Sequence, residues 1–217
     1  MFEIFAWILA FVVAITIHEA AHAYMADRLG DPTPRLMGRL SLNPIVHYDK
    51  IGTTLLILLI FIREFLKIPV IPFGWAKPVQ FDPYNLANPR RDSALISVAG
   101  PASNFIVTII VSIIINLLMS ANLNLYAVLL MPTVTLNIIL GLFNLLPIHP
   151  LDGGKIFVGL LPENEAEEAE RFLQQYGLII LLFLILPLAN GNPAISYILG
   201  PVVSSIVSLL LPNMPSY

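Results

Sequence analysis

The stretch IFAWILAFVVAITIHEAAHAYMA, Ile4 to Ala26, is apolar at nearly every position until His18, Glu19 and His22 interrupt it. Its 23 residues (4 through 26) make about 35 Å of helix, enough to cross a hydrocarbon core of roughly 30 Å. No basic residue precedes the run and no small-residue cleavage site follows it, so it reads as a spanning helix and not as a leader peptide. The remainder of the chain is made of similar material. Of 217 residues, 57% are hydrophobic and 12% charged, about half the roughly 25% charge of a soluble domain. Mean hydropathy is +0.83. So few charges cannot cover the surface of a soluble fold, and a net charge of -3 offers no basic field for nucleic acid. Cysteine is absent, which excludes disulfides and thiolate chemistry. An integral membrane protein remains, with the length of one domain.

Further apolar runs lie at Ile51–Ile62, Ala94–Met119, Tyr126–Leu146, Tyr176–Ala189 and Ala194–Leu211. They predict an all-α, multi-pass protein of the cell membrane with about five to six transmembrane helices. Lysine and arginine set the orientation. The links Ser120–Leu125 and Asn190–Pro193 hold neither residue, so they and the N-terminus are placed outside. Residues 27–50, 83–93 and 150–175 carry eight of the eleven basic side chains and, with the C-terminus, are placed on the cytoplasmic side. Residues 51–82 then begin and end on one side, and their second half, Ile68–Asp82, is proline-rich and strand-like. A re-entrant helix/β-hairpin near residues 51–82 satisfies both observations; an ordinary span followed by a loop is the alternative. Non-helical backbone at membrane depth is tolerated only inside protein or beside a wet cavity.

His18-Glu-Ala-Ala-His22 places two imidazoles four residues apart, on one helix face, where both reach a single ion. Glu19 lies beside them, within reach of a water on that ion. Two histidine ligands with glutamate as general base is the arrangement of a metalloprotease. By helix rise His18 lies about 12 Å in from Ala26, a depth at which ionisable groups are costly and usually functional. A tetrahedral zinc takes a third protein ligand and keeps one position for water. Asp152, in Phe143-Asn-Leu-Leu-Pro-Ile-His-Pro-Leu-Asp-Gly-Gly154, is the best candidate. Pro147 and Pro150 break the helix there, the glycines permit unusual dihedrals, and a bent chain can aim a carboxylate sideways. The alternative for Asp152 is an interfacial turn residue.

His18-Glu-Ala-Ala-His22, Gly100-Pro-Ala-Ser-Asn104 and Asn144-Leu-Leu-Pro with Leu151-Asp-Gly-Gly154 resemble the motifs of the site-2 protease family of intramembrane zinc metalloproteases. Phe73-Gly-Trp-Ala-Lys-Pro78 and Asn88-Pro-Arg-Arg91 resemble its compact members, which lack PDZ and CBS domains. The resemblance runs from the first helix to about Lys155. It implies zinc held by His18, His22 and Asp152, with Glu19 activating water. It implies Asn144, and less directly Asn104, as substrate-binding or oxyanion residues, with helix packing as the other role open to each. Gly100 and Pro101 would shape the helix beside the metal, and residues 73–81 would take an unwound substrate as an added strand. Residues 1–217 would form a single membrane-embedded protease domain, with a catalytic core of about 1–155 and a C-terminal helix pair of about 174–211. The substrate would be a transmembrane protein cut near the cytoplasmic side.

His149 stands where the family commonly has proline, and reads as a solvated residue or one behind the metal ligands. His47 reads as a hydrogen-bonding loop residue. Glu163 to Glu170 reads as the solvated face of a surface helix. Two other functions use the same residues: a divalent-metal transporter, against which stands the want of a polar track on the far side of the site, and a proteolytically inactive relative that binds membrane helices.

Overall fold

The computed structural model describes residues 2–66, 74–187 and 192–212. Nine α-helices occur among them: α1 (Phe2–Arg28), α2 (Thr33–Leu36), α3 (Pro44–His47), α4 (Gly52–Phe65), α5 (Pro89–Ser120), α6 (Asn124–Asn144), α7 (Asp152–Leu160), α8 (Glu163–Ile185) and α9 (Ala194–Leu210). The described residues contain no sheet, only one bridge between Pro187 and Pro193. The all-α class is as the apolar runs predict. Helices α1, α5 and α6 are long and apolar enough to cross a membrane, against an expectation of five to six. Helix α4, at 14 residues, makes about 21 Å, short of the hydrocarbon core. Helix α9 has 17 residues, and the first two turns of α8 are acidic.

Helices α1, α5 and α6 pack on one another and form the centre of the molecule. The sequence dictates how. Ala6, Ala10, Ala14, His18, His22 and Ala26 recur every fourth residue of α1, and all are buried. Ile96, Gly100, Asn104, Thr108 and Ser112 form the matching stripe on α5. Small side chains at this spacing let helix backbones approach closely, which is how helices associate where lipid removes the hydrophobic drive. Ile115, Ala127, Met131, Val134, Ile138 and Leu211 fill the end of the bundle away from the histidines.

The far side of the site does carry a polar track. Thr108 and Ser112 continue the α5 stripe beyond Asn104, and their buried hydroxyls have no hydrogen-bond partner among the described residues. The track is uncharged, and apolar composition alone concealed it because Thr and Ser barely lower the hydropathy of Ala94–Met119.

Residues 74–82 form an extended strap across the C-terminal part of α1. It is laced to the body by Thr53 Oγ1 donating to Trp75 O (3.2 Å), Lys77 N to His47 O (2.9 Å) and Arg39 Nη1 to Lys77 O (3.5 Å). No strand forms in 74–82, and residues 67–73 of the expected hairpin lie outside the described residues. At its end Asp82 N donates to Asp31 Oδ2 (2.7 Å), and Asn85 Nδ2 donates to Asp31 Oδ1 (2.8 Å). Thr33 adds its N–H and hydroxyl. Burial raises the Asp31 pKa, but the donors from Thr33, Asn85 and Asp82 outweigh it and hold the carboxyl below its ordinary range.

Candidate metal centre

Helix α1 supplies His18 and His22 from its buried face, and α7 supplies Asp152 from its first residue. The chain reaches Asp152 through the turn 145–151, seated on α8 by contacts among Ile148, Leu151 and Leu181. Pro147 and Pro150 lie in this break between α6 and α7, as expected. The adjoining glycines act differently from the expectation. Neither has positive φ; a Cβ on Gly153 would strike Leu145 and Leu146 backbone, and one on Gly154 would press on Ile148. They are needed for space, since the turn folds directly onto the start of α7.

Asp152 Oδ2 lies 3.1 Å from His18 Nε2 and 3.2 Å from His22 Nε2, and the two Nε2 atoms are 3.1 Å apart. His22 Nδ1 is 2.7 Å from the Ile96 carbonyl, which can only accept, so Nδ1 carries the proton and Nε2 turns its lone pair inward. Among the described residues, buried Asp152 Oδ2 has no hydrogen-bond donor within reach other than the two imidazoles. A carboxylate oxygen and a bare ring nitrogen at this separation repel unless a proton or a metal ion lies between them, and a metal ion satisfies all three atoms at once. A tetrahedral zinc with bonds of about 2.0–2.2 Å holds its ligand atoms about 3.3–3.5 Å apart, close to the edges of this triangle. The chemistry of the donor set, imidazole and carboxylate without thiolate, also suits zinc. These three residues are the one His/Cys/Asp/Glu group among the described residues whose ligand atoms come together for a metal.

Helix α5 closes the site from behind. A Cβ on Gly100 would overlap the rings of both His18 and His22, so only glycine lets α5 cross here. Next to it Pro101 lies inside α5 and leaves Ser97 O without its helical amide. Glu19, half-buried on α1, accepts the strap amide of Val79 at Oε2 (2.9 Å).

Asn104 is buried behind His18, with Oδ1 2.7 Å from His18 Nδ1. Asn144, at the end of α6, turns its amide back to Leu140 O (3.0 Å). His149 is exposed and lines a cavity of about 440 Å³ with Arg90, Lys155, Glu163, Glu167 and Glu170. The acidic segment thus belongs to α8, with Ala166 on its buried side. His47 is buried and its Nε2 bonds Ser41 O (2.9 Å). Three groups at the site escape sequence reasoning: Ile96 O, Val79 N–H and Asn137, which bonds Asn104. Backbone groups leave no sequence signal, but Asn137 does leave one, as an amide in the middle of the run Tyr126–Leu146.

The model of Peptidase family M50 matches residues 6–126 and 119–185. YwhC of Bacillus subtilis (strain 168), named as a candidate zinc metalloprotease, is 34% identical over 205 residues, covering 91% of this chain and 85% of that protein. Zinc metalloprotease MJ0392 of Methanocaldococcus jannaschii is 25% identical over 185 residues, covering 82% of this chain and 43% of that protein. No solved structure matches the chain. With the family model spanning most of its length and a relative of this identity matched nearly end to end, the chain belongs to Peptidase family M50.

Proposed function

We propose that the chain is an intramembrane zinc metalloendopeptidase that hydrolyses peptide bonds in or near transmembrane segments of membrane proteins. The observation that carries the reading is the converging triangle of His18 Nε2, His22 Nε2 and Asp152 Oδ2 beside Glu19, deep in an apolar helix. Family membership supports the reaction class, and the names of the two relatives support zinc.

His18, His22 and Asp152 would hold the ion. Zinc bound there would supply a Lewis acid for the scissile carbonyl and for an attacking water. Glu19 takes the proton of the attacking water and returns it to the departing amine. The Val79 amide holds Glu19 Oε2, which leaves Oε1 for the proton. Asn144 lies at the end of α6, just before the turn to Asp152, and is a substrate-backbone donor in this reading. Asn104 serves the ligands instead of the substrate. A substrate helix has to unwind first, since its amides are paired within the helix and its carbonyls are shielded.

The residues form a single membrane-embedded unit in the cell membrane, with α4 re-entrant and the apolar part of α8 and α9 adding the remaining crossings. The basic segments 27–50 and 83–93 favour a site near the cytoplasmic side, where water enters.

Replacing Glu19 by Gln in the purified protein tests the reaction. Zinc should be retained, and cleavage of a transmembrane substrate in liposomes should fall by about 10²–10⁴-fold, the usual share of a general base. Turnover near the native rate removes Glu19 from the role. A metal transporter takes support from the buried Thr108 and Ser112 beyond the site, and zinc flux in the same liposomes would favour it.

A further inference from the structure

An imidazole ligates through one nitrogen only, and which nitrogen is free depends on where the proton sits. For His22 a backbone carbonyl decides. For His18 the decision passes through two side-chain amides. His18 Nδ1 is 2.7 Å from Asn104 Oδ1. Asn104 Nδ2 is 3.2 Å from Ala14 O and 2.8 Å from Asn137 Oδ1. Asn137 Nδ2 is 2.7 Å from Thr133 O. Both asparagines are fully buried.

The two ends of an amide have nearly the same shape, so its orientation follows from its partners. Thr133 O and Ala14 O are backbone carbonyls and can only accept. Thr133 O therefore takes an N–H of Asn137, which turns Asn137 Oδ1 towards Asn104. Ala14 O and Asn137 Oδ1 together take both N–H groups of Asn104. Only Asn104 Oδ1 is left for His18, and it requires a proton on Nδ1. The neutral ring then presents a lone pair at Nε2, towards Asp152. With Asn104 turned over, its NH₂ would face Nδ1 and draw the proton to Nε2, the position an ion needs.

We propose that Asn137 is a positioning residue of the metal centre. Through Asn104 it fixes His18 in the tautomer that can bind a metal, so that α6 governs a ligand on α1 that Asn137 does not touch. Partners behind a metal ligand typically change affinity by about 10–100-fold. The inference rests on the metalloprotease reading.

The test is zinc affinity, by competition with a chromophoric chelator, on detergent-purified wild type, Asn104→Leu, Asn137→Leu and Asn137→Asp. Wild type should bind one zinc. Asn104→Leu should weaken binding by about 10–100-fold and Asn137→Leu by about 10-fold. Asn137→Asp should stay within about threefold of wild type, because a neutral carboxyl can donate to Thr133 O and accept from Asn104. Native affinity in Asn137→Leu, or equal losses in the Leu and Asp variants, would overturn the proposal while leaving the metal site intact. A wild type that binds no zinc would instead overturn the reading beneath it. A measurement on the native chain guards against variants that do not fold. In zinc-loaded wild type labelled with ¹⁵N-histidine, and assigned by His18→Gln, the His18 ring should carry its proton on Nδ1; a proton on Nε2 overturns the proposal.

Discussion

Gly100 shows how little room the metal centre leaves. Its α carbon faces the two imidazoles, and a single methyl there would overlap both rings. Gly100→Ala should therefore displace the ligands and remove most of the bound zinc, read as metal per chain after dialysis against a zinc buffer. Full occupancy would show that α5 has freedom to retreat. The convergence of His18 and His22 was legible from spacing alone, since i and i+4 on a helix fix which side chains meet; Glu19 was named by its place between them. Asp152 was legible only as a candidate third ligand, with an interfacial turn residue as the alternative, because the turn that swings it to α1 depends on tertiary packing. Asn104 was named only through the resemblance of Gly100-Pro-Ala-Ser-Asn104 to a family motif, and its contact with His18 depends on how α5 is rotated, which no local pattern records.

Helix α1 and the strap 74–82 meet at Glu19. Val79→Pro deletes the amide that donates to Glu19 Oε2, while Val79→Ala keeps it. A hydrogen bond to a charged group is worth about 1.5–3 kcal/mol. Val79→Pro should accordingly cut the cleavage rate by about 10–100-fold with zinc retained, and Val79→Ala should change it little; equal rates in both would free Glu19 from the strap. The far end of the strap is tied by Asp31. The unfolded chain takes up a proton at this carboxyl near the ordinary value of about 3.9, whereas the folded chain resists it to lower pH. The stabilisation is thus complete above that value and fades as pH falls through the folded one. Asp31→Asn should lower stability at neutral pH by about 1–3 kcal/mol and flatten the acid limb of the thermal midpoint measured in detergent. A variant as acid-sensitive as wild type would move that sensitivity to another group. The strap itself was legible as non-helical from Pro72, Gly74 and Pro78, although its proline-rich, strand-like look did not reveal that its partners are side chains and loop carbonyls.

Helices α1, α5 and α6 give the molecule its centre, and the two candidate histidine ligands sit on the small-residue stripe of α1. The alternation Ala6, Ala10, Ala14, His18, His22 makes the buried face of α1 continuous with its chemistry. The membrane class was readable from hydropathy, because nothing else accommodates so few charges. The number of crossings was less so, since α4, α8 and α9 are short or charged at one end and hydropathy does not weigh length against packing. The two halves of the centre, residues 18–22 and residue 152, come from distant parts of the chain. Metal content of the purified protein beside its Asp152→Ala variant joins them in one observation. About one zinc per chain in wild type, falling to a small fraction in Asp152→Ala with the fold retained, is the expected result; equal zinc in both proteins would mean that Asp152 is not a ligand and that the three side chains do not share an ion.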